Sequence, residues 1–99
     1  MRRGTTPTNT FTTDIDLSDA EVIFLTYKQK GRTVLEFDRS RITVTPENIS
    51  VTLTQEETLA FSEKDGVRIQ IRAKFMDDSA VASNIMLTSI AEILKDGVI

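Results

Sequence analysis

The sequence lacks three residue types that carry much of protein chemistry, since it contains no Cys, no His and no Trp. Without His or Cys there is no imidazole base, no thiolate nucleophile and no ordinary ligand set for zinc, haem or an iron–sulfur cluster. No G-x-S-x-G, G-x-G-x-x-G or P-loop pattern occurs either. We therefore expect a protein that is not an enzyme and that holds no cofactor.

Long apolar runs and a basic excess are missing as well. No stretch approaches the roughly 18 apolar residues of a membrane span, and no apolar segment of a secretory signal follows Arg2 and Arg3. The chain carries 12 basic and 15 acidic side chains, with a formal net charge of -3. General nucleic-acid binders normally carry a basic excess. We expect neither a membrane nor a nucleic-acid partner.

Extended backbone is what the remaining composition favours. Val, Ile and Thr supply 31 of the 99 residues, and β-branched side chains prefer strands. About seven strands separated by turn signals predict an all-β fold, an immunoglobulin-like antiparallel β-sandwich, with a small barrel as the alternative. The expected strands are Thr8–Asp14, Glu21–Gln29, Thr33–Asp38, Ile42–Thr45, Ile49–Gln55, Val67–Met76 and Ala80–Ile90.

Two local signals fix details of this fold. Gly31 tolerates positive φ, so Lys30-Gly31-Arg32 is expected to close a β-hairpin. Thr54 followed three residues later by Glu57 is a capping-box pattern, which predicts one helical turn over Gln55–Ala60 carrying Leu59 and Phe61 into the core. No repeat or linker divides the chain. We expect a single domain over residues 1–99, in which residues 1–10 form a flexible N-terminal arm.

The densest acidic cluster comprises Asp14, Asp16, Asp19 and Glu21. Its D-x-D spacing is that of calcium loops, but an EF-hand loop opened at Asp14 would need Gly at position 19 and Glu at position 25. The chain has Asp19 and Leu25 there. We interpret the cluster as a solvated turn and expect no metal site.

Strand alternation also indicates a surface for partners. The strand from Val67 places Val67, Ile69, Ile71, Ala73 and Phe75 on one face and Arg68, Gln70, Arg72 and Lys74 on the other. In an immunoglobulin-like sheet the outer face would unite five partner-binding residues, namely Val34, Arg72, Lys74, Met86 and Ile90. Apolar area rimmed by cations suits a protein contact. The alternative is that Ile90 lies beyond the strand end and is buried by the tail.

Four segments carry a resemblance that spans nearly the whole chain: MRRGTTPT at the start, VTLTQEETLAF in the middle, VRIQIRAKFMDDSAVASNIM, and ILKDGVI at the end. They resemble a family of small proteins from prophage-like structural gene clusters of Firmicutes. More remotely, the order of strands and turns is similar to the immunoglobulin-like N-terminal domain of baseplate upper proteins in lactococcal-type phages. Asp77-Asp78-Ser79 departs from this pattern, because a D-G turn would be usual there.

The resemblance implies a role and no reaction. It favours a phage or prophage structural protein of the tail, baseplate or neck, located in the virion or the bacterial host cytoplasm. Its partners would be other phage structural proteins or further copies of itself. The alternative is a non-catalytic binding module for a carbohydrate or other host ligand, which would use loops at one end of the sandwich. Assembly into multimers would favour the first hypothesis, and glycan binding by a monomer the second.

Overall fold

Eight β-strands and one short helix make up the computed structural model of the protein, which describes residues 1–99. In chain order the elements are β1 (Thr8–Thr12), β2 (Val22–Gln29), β3 (Arg32–Phe37), β4 (Thr43–Val44), β5 (Asn48–Thr52), α1 (Gln55–Leu59), β6 (Val67–Lys74), β7 (Ala80–Ala82) and β8 (Met86–Thr88). The prediction of an all-β fold is confirmed.

The strands form two antiparallel sheets. The smaller sheet has the order β1-β5-β4, and the larger has the order β3-β2-β6-β7, with β8 pairing β6 beyond β7 along the same edge. Buried side chains of both sheets meet in one hydrophobic core. This is a β-sandwich; that it is specifically immunoglobulin-like stays a prediction.

Strict alternation builds the centre of the larger sheet. In β6 the residues Val67, Ile69, Ile71 and Ala73 are buried, as predicted, while the cations between them face outward. In β2 the buried residues are Ile23, Leu25, Tyr27 and Gln29, which alternate with exposed or half-buried positions. The sheet therefore has a core face and an outer face.

The two local signals act as expected. Lys30 and Gly31 link β2 to β3 with φ values of 49° and 75°, the left-handed pair that two-residue hairpin turns require. Thr54 accepts a hydrogen bond from the Glu57 backbone N–H, and the Glu57 side chain accepts one from the Thr54 N–H. This capping box begins α1. Phe61 is buried as predicted, whereas Leu59 is only half-buried.

The hydrogen bonds of two buried side chains connect separate parts of the fold. The Tyr27 hydroxyl accepts a hydrogen bond of 2.7 Å from Asn9 Nδ2 across the sandwich, and burial raises the pKa of Tyr27. The Gln29 amide donates to the carbonyl oxygens of Ser62 (2.7 Å) and Asp65 (3.0 Å) and accepts from the Ser62 N–H (2.9 Å). Buried polar groups are costly without hydrogen-bond partners. The three Gln29 bonds therefore hold the segment after α1 against the end of β2.

The N-terminal residues differ from the flexible arm expected over 1–10. Thr8–Thr10 belong to β1, and residues 1–3 run beside residues 89–91. The Ala91 N–H donates to the Met1 carbonyl (2.7 Å), and the Arg3 N–H donates to the Ala91 carbonyl (3.1 Å). Backbone hydrogen bonding of this kind needs no apolar side chains, which is why composition does not reveal it.

Three turns share an Asp-x-Ser motif. Asp16, Asp38 and Asp77 each accept hydrogen bonds from the hydroxyl and the backbone N–H of the Ser two residues on, Ser18, Ser40 and Ser79. The hydroxyl bond, followed by the backbone bond, lowers the pKa of each of these carboxyl groups. The turn at Asp77-Asp78-Ser79 thus obtains its geometry from a side chain, with Asp78 at φ 66°.

Candidate interaction surface

The five residues predicted to share a partner-binding surface do not lie together. Ile90 is 6% exposed and belongs to the core, so its assignment to the outer surface is wrong. Val34 and Met86 are half-buried and pack against the core, so they do not stand on the outer face either. Arg72 and Lys74 do lie on that face. The predicted surface is therefore only partly formed.

The errors at Met86 and Ile90 arise because the strand predicted over Ala80–Ile90 is interrupted and ends at Thr88. Val81 pairs with Ala73, but Met86 pairs with Ile69, so one residue more than regular pairing allows lies between them. The extra residue moves Met86 to the core face and Leu87 to the outer face. Beyond Thr88 the chain leaves β6 and pairs with the N-terminal residues, which buries Ile90.

Ser83 maintains the hydrogen bonding at this interruption. Its backbone N–H donates to the Ile71 carbonyl (2.8 Å), while the Ile71 N–H donates to the Ser83 hydroxyl rather than to a carbonyl (3.0 Å). The Gln70 side chain donates to the Ser83 carbonyl (3.0 Å). The ladder is thereby satisfied while Ile85 is left 46% exposed.

A similar irregularity displaces Val34. Leu35 pairs with Tyr27 and Thr33 pairs with Lys28, which leaves Val34 as an unpaired residue in β3. Such a bulge breaks the two-residue alternation, so the position of Val34 cannot be counted from Leu35 and Phe37.

A shallow hollow of about 480 Å³ occupies the outer face of the larger sheet. We call it the outer hollow; its principal lining residues are Phe24, Thr26, Lys28, Arg68, Arg72 and Ile85. Phe24 is 42% exposed although it is a large apolar side chain in a central strand. Leu87, 76% exposed, lies opposite Arg68 beside the hollow. Apolar and cationic side chains are therefore mixed on one face.

The cations of the outer hollow have no anionic partner. Lys28, Arg68 and Arg72 make no ion pair, and Glu36 is the one carboxylate that lines the hollow. Lys28 lies directly opposite Arg68 in the β2–β6 register. Like charges in opposed positions destabilise a sheet, so a bound anion would relieve this pair. The arrangement suits a carboxylate-bearing ligand with some apolar surface.

Lys74 differs from these cations. Its Nζ lies 3.8 Å from Glu21 and 3.7 Å from Asp78. Both carboxylates are on the same chain, so the charge of Lys74 is already compensated. It belongs to the outer face but not to the unpaired set.

Sequence reasoning missed Phe24, Lys28 and Ile85. A signal for the first two was present, because Phe24 and Lys28 are in phase along β2 and a Lys marks the solvent side of a strand. Ile85 carried no such signal, since its exposure results from the interruption at Ser83.

Three of the four acids of the cluster lie in residues 14–19, which we call the acidic turn; Leu17 within it is buried in the core. Asp16 is engaged by Ser18, whereas the Asp14 and Asp19 side chains make no hydrogen bond and no ion pair. Ile15 between them is 50% exposed. No group of acidic side chains is placed to hold a metal ion.

Ile15 lies beside a second, smaller cleft of about 330 Å³, which it lines together with Ile71 and Met86. Ile71 belongs to the core face of β6, while Arg72 of the outer hollow faces the opposite way. The two clefts share no lining residue.

Comparison of the chain with protein-family models, with curated proteins and with solved structures finds no match in any of the three. The single helix lacks the length and the apolar character that crossing a membrane would require.

Proposed function

We propose that the protein is a non-catalytic structural component of a phage or prophage tail, baseplate or neck, and that it acts through protein–protein contact. The observation that supports this role is the outer hollow, where exposed Phe24 and Ile85 lie beside three cations without partners. Apolar surface supplies burial in an interface, and charges set orientation and partner choice.

The partner's chemistry follows from the same residues. Lys28, Arg68 and Arg72 outnumber the single carboxylate Glu36, so the hollow is cationic although the chain as a whole is acidic. A fitting partner presents carboxylates around an apolar side chain. Single exposed apolar residues need no explanation, but here they adjoin unpaired cations on one sheet face.

The test is complex formation with the structural proteins encoded beside its gene. Each is purified and mixed with the protein, and the mass of any complex is measured by size-exclusion chromatography with light scattering. We expect a complex of defined stoichiometry that Arg72→Glu weakens and that the control Lys64→Glu, an exposed charge reversal outside the hollow, leaves intact. A protein that stays monomeric in every mixture would contradict the proposal.

A binding module for a carbohydrate or other host ligand is the second candidate. Phe24 offers an exposed aromatic face, and Thr26, Thr33 and Gln70 supply hydroxyl and amide groups in the same hollow. Sugar sites combine such groups. Saturable glycan binding by the monomer, lost in Phe24→Ala, would favour this candidate over the structural role.

A further inference from the structure

We infer that the partner seated in the outer hollow is a second copy of this chain, which inserts its acidic turn. This inference rests on the proposed function, because it names the occupant of the same surface. The acidic turn presents Ile15, 50% exposed, between the carboxylates of Asp14 and Asp16. An apolar side chain flanked by acids matches a hollow in which Phe24 and Ile85 adjoin cations.

Charge complementarity supports this occupant. Asp14 and Asp19 have no partner within their own chain, and neither have Lys28, Arg68 and Arg72. Unpaired charges of opposite sign on one molecule attract a second molecule and steer the encounter.

The two surfaces do not pair within one molecule. Neither Asp14 nor Asp19 forms an ion pair with a cation of the outer hollow, and no residue of the acidic turn lines the hollow. Pairing must then occur between copies, with the turn of one in the hollow of the next. Contacts between two different surfaces are heterologous and extend into rings or filaments.

A contact confined to one turn and one shallow hollow would bury little area, so the self-association should be weak and dependent on salt. Interfaces below roughly 1,200 Å² belong to transient complexes. Exposed charges are screened beyond about 8 Å at physiological ionic strength. Assembly then depends on a high local concentration, as in a particle.

Complementation between two variants tests the inference. The hollow variant carries Arg68→Glu and Arg72→Glu and keeps its acidic turn; the turn variant carries Asp14→Lys and Asp19→Lys and keeps its hollow. Asp16 is left unchanged because it holds the turn through Ser18. Sedimentation velocity over a wide range of concentrations measures each variant alone and the two mixed.

We expect the wild-type protein to self-associate with rising concentration, and each variant alone to do so at least about tenfold more weakly. Their mixture should regain association, since the intact acidic turn fits the intact hollow and the lysine-bearing turn faces the glutamate-bearing hollow. Two control variants carry the same changes in net charge. Lys64→Glu with Lys95→Glu is the control for the hollow variant, and Glu47→Lys with Glu92→Lys is the control for the turn variant. These exposed positions lie outside both surfaces, so both controls should associate like the wild type.

Three results would overturn the inference: a monomeric wild-type protein at every concentration, undiminished association of either variant, or a mixture that does not regain association although circular dichroism shows both variants folded. If the wild type is monomeric but its complex with another structural protein depends on Arg72, self-docking fails and the proposed function stands. Binding of a single-stranded oligonucleotide that is lost in the hollow variant, without wild-type self-association, would assign the hollow to nucleic acid instead.

Discussion

Replacing Gln29 with methionine is expected to destabilise the fold by about 2 kcal/mol. The Gln29 side chain is buried and makes three hydrogen bonds to the backbone of Ser62 and Asp65. Each such bond contributes about 1 kcal/mol net, so the three together contribute about 3 kcal/mol. The apolar methionine gains about 1 kcal/mol from its own burial, which leaves the stated loss.

Urea unfolding followed by far-ultraviolet circular dichroism measures this change. Gln70→Met makes the same chemical substitution where one bond, to the Ser83 carbonyl, is at stake, and we expect a loss of at most about 1 kcal/mol. A loss at Gln29 no larger than that at Gln70 would refute the view that this amide holds the segment after α1.

In the variant Gln29→Glu the free energy of unfolding is expected to depend on pH. A carboxylate there still accepts from the Ser62 N–H but faces two carbonyl oxygens without a proton to donate. Burial and these oxygens should raise its folded pKa above the unfolded value of about 4.3. The stability of the protonated form is then fully present below the unfolded pKa and is lost as pH rises through the folded one. A variant whose stability relative to wild type does not change with pH would contradict this.

Three further outcomes are expected. Leu53→Ala should cost about 2 to 5 kcal/mol in urea unfolding, because it opens a cavity in the core, whereas Thr52→Ala at an exposed position should cost far less. The hydrogen bonds from Arg41 lower the pKa of Glu57. The stability that this pair contributes is therefore present above the unfolded pKa of Glu57 and is lost as the pH falls through its folded pKa. Glu57→Gln should remove this part of the acid sensitivity, which thermal melts at several pH values measure. Deleting residues 1–3 should lower the melting temperature, since their backbone pairs with residues 89–91; an unchanged melting temperature would show that this pairing contributes nothing.

Features determined by neighbours in the chain were predictable. The alternation in β6 identified its buried face because cations occupy every second position, and the Lys30-Gly31 turn and the Thr54–Glu57 capping box each depend on a few adjacent residues. The outward positions of Arg68 and Arg72, two of the three unpaired cations of the outer hollow, followed from the same alternation.

Features determined by pairing across the fold could not be predicted from the sequence. An extra residue at Val34 or beyond Ser83 is defined only relative to the opposing strand, and a one-residue change moves every later side chain to the other face. This is why Met86 and Ile90 were placed outside. The docking of residues 1–3 joins segments from opposite ends of the chain and depends on backbone groups that every sequence has.

Both free edges of the larger sheet are irregular, and this affects how the protein behaves at high concentration. A straight edge strand can pair with a strand of another chain, which is the first step toward amyloid-like aggregation. Here one edge carries the bulge at Val34, and the other is divided between β7 and β8 by the segment around Ser83. Bulges twist an edge out of the plane and leave its hydrogen-bonding groups out of step with an incoming strand. Contacts between copies at high concentration would therefore be reversible. Dilution or added salt would restore the monomer, and no insoluble fibre would accumulate.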